Sequence, residues 1–214
     1  MVRPYKKSRY FLAAFITLAI FLLGVAIGSE VSDVKVSELE KSQEQLRTDL
    51  STLDLQYTLL EENICEFTDT EDVNAQLYTL SARLTTMEDE LGKNDPDVLR
   101  LVEFYDVLQL RHWNFLKKQK EKCGMNYDLV LFFFSNEEGV CQECEEQGFM
   151  LTYLHKKDPN FISYGLNVDI DNPVLNLIKK KYNVTTTPTM IINEQKVEGF
   201  TPVEEIQEYI NKSS

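Results

Sequence analysis

Six consecutive apolar residues, Leu129-Val130-Leu131-Phe132-Phe133-Phe134, run into Ser135-Asn136-Glu137-Glu138-Gly139 and then into Cys141-Gln142-Glu143-Cys144. A short, unbroken apolar run bounded by turn residues predicts a strand buried on both faces. The chain leaves that strand through a polar loop and reaches two cysteines separated by two residues. Cys141 is expected at the N-terminus of a helix over 141–155, where unpaired N–H groups and the helix dipole favour a thiolate. Cys144 then lies one helical turn on, within reach to resolve a mixed disulfide. Taken alone, the pair is compatible with a redox, a metal-binding or a structural role.

The N-terminal segment supplies context. Residues 11–28 carry no charge, and with Tyr10 they make a stretch just long enough to cross a ~30 Å hydrocarbon core at ~1.5 Å per residue. Arg3, Lys6, Lys7 and Arg9 precede it, and Glu30, Asp33 and Glu38 follow. The charge bias predicts a single-pass protein with residues 1–9 in the cytoplasm, a transmembrane helix over 10–28 and the rest extracytoplasmic. A cleaved signal peptide is the rival, with Ala26-Ile27-Gly28 as small residues near a cleavage site, but the apolar core exceeds the usual ~7–15 residues. Beyond residue 29 lie 18 of the 22 basic residues and all 35 acids, a net charge of about −17. That surface excludes nucleic acid as a partner, because phosphate binding needs clustered Lys and Arg.

Residues 29–122 read as helical. Leu46, Leu50, Leu53, Tyr57, Leu60 and Ile64 alternate steps of four and three, with Val36 and Leu39 ahead of them and Gln43 interrupting the seam. Val73, Leu77, Leu80, Leu84, Met87 and Leu91 repeat the spacing in a second helix. Gly92-Lys93-Asn94-Asp95-Pro96 ends it, with Asp95 as cap and Pro96 in the first turn of a third helix over 96–122. The expected product is an antiparallel coiled-coil hairpin or three-helix bundle. Its first helix, about 50 Å long against about 30 Å for the second, leaves a stretch free to pair with another chain. Gly24 and Gly28 offer a second route to a homodimer through close helix packing.

Cys65 ends the first of these helices and Cys123 the third, so an up-down-up bundle brings both to one end. In an exported protein a structural Cys65–Cys123 disulfide is then favoured over two free thiols.

After Cys123-Gly124 the pattern changes to strands at 128–135 and 161–170, helices at 141–155, 173–182 and 202–211, and a hairpin of 189–193 with 196–200. A β-α-β-α-β-β-α order implies one mixed sheet with helices on both faces. Three segments carry a resemblance. Besides the Cys141–Cys144 motif, they are Leu166-Asn167-Val168-Asp169-Ile170-Asp171-Asn172-Pro173, then Thr185-Thr186-Thr187-Pro188-Thr189, then Met190-Ile191-Ile192-Asn193 with Gly199 following. Over about 126–212 the chain resembles the thioredoxin family. The resemblance implies an α/β thioredoxin-like domain over 123–214. It also implies that Cys141 is the nucleophile and Cys144 the resolving cysteine, that Pro188 is cis beside them, and that Thr187, Pro188 and Thr189 form a substrate-binding loop in which the Thr187 backbone pairs with an extended substrate segment. No cofactor is implied.

Departures from that family bear on the chemistry. Val140 stands where thioredoxins have Trp, and Gln142 and Glu143 replace the common Gly-Pro. Glu137, Glu138, Glu143, Glu145 and Glu146 oppose thiolate formation, which favours a reducing or isomerising dithiol over a strong oxidant. Phe132 and Phe133 stand about where thioredoxins bury a proton-transferring acid, leaving that task to Glu143, Glu137 or water. The two histidines, His112 and His155, form no ligand set with the cysteines, so no metal site is expected. His112 reads as packing or surface. Asn183-Val184-Thr185 and Asn211-Lys212-Ser213 match the glycosylation sequon. The expected function is a membrane-anchored protein-disulfide oxidoreductase acting on exported proteins with thiols or disulfides. The alternative is a non-catalytic interaction module in which the helices bind partners and Cys141–Cys144 is only a clip.

Overall fold

In this computed structural model, residues 7–66 and 71–213 are described, with side chains throughout except at 7–13, 26–40, 42–43, 71–72 and 213. Three long helices come first: α1 (Lys7–Glu62), α2 (Glu71–Leu91) and α3 (Pro96–Cys123). There follow β1 (Asp128–Phe134), α4 (Cys144–Lys157), β2 (Phe161–Asn167), α5 (Pro173–Lys181), β3 (Thr189–Ile192), β4 (Gln195–Glu198) and α6 (Val203–Ser213). Two units are distinguished, Met1–Arg47 and Thr48–Ser214.

In the first unit every residue from 7 onward belongs to α1, and Phe15, Leu18, Phe21 and Leu23 are exposed. Here the expected membrane span needs correction. Among the described residues no helix is long and apolar enough to cross a membrane. Of the expected 10–28 stretch, side chains are described over 14–25. The single-pass topology, the cytoplasmic N-terminus and the extracytoplasmic placement rested on that span and go with it. Gly28 lies outside the residues with described side chains, and a Cβ at Gly24 would meet nothing within 4 Å.

The fold class is also corrected. Helix predominates among the described residues, whose strands make a small four-stranded sheet. Within the second unit α3 packs on β2 and α5, so a long helix forms part of the layer that covers the sheet. Leu50, Leu53 and Tyr57 of α1 are buried in this unit with Leu77, Leu80 and Leu84 of α2. Arg83 pairs with Asp49 at 2.6 Å, while Arg111 on α3 pairs with Asp54 and donates to Thr58. The Gln119 side chain donates to the Ile64 carbonyl at 3.0 Å, so α1 and α3 run in the same direction here. Asp95 caps α3 by accepting from the N–H groups of Asp97 and Val98, with Pro96 following as the local sequence suggests.

The sheet order is β2-β1-β3-β4, with β1 parallel to β2 and antiparallel to β3. Its first six residues are buried because both faces are covered. Val130 and Phe132 share a core with Leu151 and Leu154 of α4 and Ile206 of α6. On the other face Tyr164 of β2 meets His112 of α3. The β3–β4 turn is Asn193-Glu194, one residue earlier than the expected Glu194-Gln195, and both residues have positive φ, 45° and 74°. Asn tolerates the left-handed region, which suits it to the first position of such a turn. Its side chain also accepts from the Leu129 N–H and donates to Asp128, fixing the hairpin to the start of β1. Asn172, not Asp171, caps α5.

Candidate functional site

The loop after β1 is built by its own polar residues. Ser135 donates to one carboxylate oxygen of Asp169 at 2.7 Å, and the Asn136 N–H donates to the other at 2.7 Å. The Glu137 N–H donates to Ser135 Oγ, and the Val140 N–H donates to the Glu137 carbonyl. Gly139 takes φ of +80°, a conformation that costs a β-carbon-bearing residue steric strain. This turn delivers Cys141 just ahead of α4.

Cys141 and Cys144 are joined by a disulfide with Cα atoms 5.4 Å apart. They are not equivalent. Helix α4 starts at Cys144 rather than at Cys141, because the turn holds 137–140 outside helical pairing. Cys144 is 7% exposed and lies in the core with Phe132 and Met190, whereas Cys141 is half-buried beside exposed Val140. Glu143 occupies the N-cap without a side-chain hydrogen bond, so it leaves the first-turn N–H groups of α4 uncapped. Gln142 and Glu143 are both exposed.

The Thr187–Pro188 peptide bond is cis. Pro188 and Thr189 are buried and Thr187 is half-buried. Thr189 Oγ1 donates to the Thr186 carbonyl at 2.7 Å, and the Pro188 carbonyl accepts from the Gly199 N–H. Pro188 therefore precedes by two residues the Met190 that shares the core with Cys144. Cys65 and Cys123 form the second disulfide, Cα atoms 5.5 Å apart, at the C-terminal end of α3. Among the described residues no group of three or more His, Cys, Asp or Glu converges.

A cleft of about 790 Å³ opens from Cys141 and Cys144 along β2 to the facing side of α2. Its floor includes a polar stripe of α3, Asp106, Gln109 and His112, spaced three apart and all buried. Asp106 accepts from the Asn167 N–H and from Gln109 Nε2, which also donates to the Gly165 carbonyl. Burial pushes the Asp106 carboxyl up to about 8 against the opposing pull of those hydrogen bonds. His112 bonds Tyr164 through Nδ1, its Nε2 has no partner, and burial pushes it down to about 3. His112 is thus a core residue lining a cleft. The site residues proposed from sequence contain none of these groups. The signal for them was a polar i, i+3, i+6 stripe inside an apolar helix face.

The Asp106 shift has a measurable sign. A carboxyl raised in the folded state stabilises the fold fully below its unfolded value of ~3.9, and that contribution is lost as pH rises towards 8. His112, depressed from about 6.5, acts in the opposite sense, and only below pH ~6.5. Between pH 6.5 and 8, therefore, Asp106 alone of the two lowers stability, by about 2 kcal/mol. Urea unfolding at both pH values should show that slope in the parent chain and its disappearance in Asp106→Asn.

No family model and no curated protein matches the chain. Among solved structures, that of a malarial protein is 21% identical, with a TM-score of 0.35, over 41% of this chain and 98% of that one. These comparisons add nothing to the thioredoxin resemblance.

Proposed function

We propose that the chain is a thiol–disulfide oxidoreductase working through Cys141 and Cys144. The observation that carries the proposal is the asymmetry of the pair: a half-buried Cys141 bonded to a buried Cys144 at the start of a helix, both lining one cleft. In the reduced form, the Cys141 thiolate attacks one sulfur of a substrate disulfide. That bond breaks, the first substrate thiolate leaves, and a mixed disulfide remains on Cys141. The Cys144 thiolate then attacks the Cys141 sulfur, the second substrate thiolate leaves, and two electrons have passed to the substrate. Oxidation of a substrate dithiol is the same sequence reversed, beginning with attack on the Cys141 sulfur.

The uncapped N-terminus of α4 favours negative charge at this position, while Glu137, Glu138 and Glu145 oppose it. The balance suits a reductase or isomerase better than a strong oxidant.

Removal of the resolving sulfur provides the test. Cys144→Ala, reduced and mixed with oxidised glutathione or with insulin, should accumulate a mixed disulfide at Cys141 that the parent chain clears. Mass spectrometry finding no adduct on Cys141 would sink the proposal in favour of an inert clip.

A further inference from the structure

We propose that the free edge of β2 docks an extended, lysine- or arginine-bearing segment of a protein substrate, laid along the cleft that ends at Cys141. The inference rests on the redox reading and names its substrate class. It begins from the backbone hydrogen bonds of β2, the outermost strand of the sheet. Strand residues alternate in direction, and the even-numbered ones turn towards β1. The Asn160 carbonyl accepts from the Asp128 N–H, and the Val168 N–H donates to the Phe134 carbonyl.

The odd-numbered residues turn outward. The Phe161 carbonyl meets His155 Nδ1 at 2.7 Å, the Gly165 carbonyl accepts from Gln109, and the Asn167 N–H donates to Asp106. Left over are the Ser163 N–H, the Ser163 carbonyl and the Gly165 N–H, with no partner among the described residues. They form a contiguous donor–acceptor–donor row. Unpaired edge groups of this kind are the template that an added strand completes.

Three further observations say what fits there. Only the middle of the edge is open, since His155, Gln109 and Asp106 occupy the Phe161 and Gly165 carbonyls and the Asn167 N–H; β4 at the opposite side of the sheet carries Gln195, Lys196 and Glu198, whereas β2 offers serine and glycine. Small residues let another backbone come close. The cleft runs between this edge and α2, and its 790 Å³ lies within the ~300–1,000 Å³ of ligand-binding clefts. Its charge is negative, with Glu88 on α2 and Glu137, Glu138 and Glu145 near the disulfide, against Lys93 and a His155 engaged with Phe161. An acidic cleft with a free strand edge selects an extended segment with positive side chains, and steers it by charge.

The test uses the full oxidised chain and two fluorescent nonapeptides of alternating Val and Thr, one bearing lysines and one glutamates. A serine stands at the centre of each in place of cysteine. The lysine peptide is expected to bind at least tenfold tighter by anisotropy, and to slow hydrogen exchange at Ser163 and Gly165. Ser163→Pro removes an outward N–H without touching the β1 ladder, and should weaken binding at least tenfold. If that variant fails to fold, Glu137→Lys with Glu138→Lys should invert the preference between the two peptides. Equal binding of both peptides, or protection confined to 187–189, would overturn the proposal. Because the probes lack sulfur, lost exchange on a cysteine version with binding intact counts against the redox reading alone.

Discussion

Cys141→Ala should bring catalysed insulin reduction down to the uncatalysed rate, a loss on the order of 10³-fold or more, the scale on which nucleophile removal acts. The size follows from the unequal placement of the two sulfurs. Attack on a substrate disulfide needs a sulfur that a second protein can approach in line, and Cys141 is the more exposed of the two cysteines lining the cleft. Cys144 cannot take over, because it is 7% exposed and packed with Phe132 and Met190. The two single variants should therefore fail differently. Cys141→Ala gives neither turnover nor adduct, whereas Cys144→Ala gives one adduct per chain and then stops. A burst of one substrate thiol from Cys144→Ala, and none from Cys141→Ala, is the signature to measure. Circular dichroism of both variants excludes misfolding as the cause. Turnover by Cys141→Ala equal to the parent would leave the disulfide as a clip.

Much of the local structure was legible because side-chain chemistry decides it within a few residues. The run 129–134 had to be covered on both faces, and it lies between α4 with α6 on one side and α3 on the other. Asp95 and Asn172 sit ahead of prolines and cap the helices that follow. What failed were inferences about how far an element extends and what it touches. The apolar stretch at 10–28 was read from its length and lack of charge, but among the described residues no helix is long and apolar enough to cross a bilayer. The helix expected from Cys141 begins at Cys144, because Gly139 and the Ser135–Asp169 contact hold the preceding turn. The cleft had no local signal at all. It exists because β2 is left without an outer neighbour while α2 stands opposite, a relation between segments more than seventy residues apart. Asp106, Gln109 and His112 were visible only as polar exceptions on an apolar face, and a helix pattern alone does not say what they meet.

The two disulfides should separate in a stability measurement as clearly as the two cysteines of the dithiol separate in an activity assay. Cys65–Cys123 closes a sequence separation of 58 residues, and loop-entropy reasoning assigns such a bridge about 4 kcal/mol. Cys141–Cys144 closes a separation of 3, for which the same reasoning gives about 2 kcal/mol. The longer bridge also joins the ends of α1 and α3, where Gln119 donates to the Ile64 carbonyl. Lys118 and Glu61 are 3.7 Å apart on the surface, and an exposed pair of that kind contributes ~1 kcal/mol at most. Cys65→Ser with Cys123→Ser should thus lower the urea midpoint and raise m, since the unlinked denatured chain exposes more surface, and should cost about twice the free energy lost in Cys141→Ser with Cys144→Ser. Cys65 is exposed and Cys123 half-buried, so the serines leave no large cavity to confuse the comparison. The ordering matters for function. A bridge that stabilises strongly is disfavoured as an exchange partner, because its reduction must disrupt the bundle. The short one opens at small expense to the fold, as a disulfide that cycles must. A loss from the Cys141 and Cys144 pair equal to or above that from Cys65 and Cys123 would reverse the assignment of structural and exchangeable bonds.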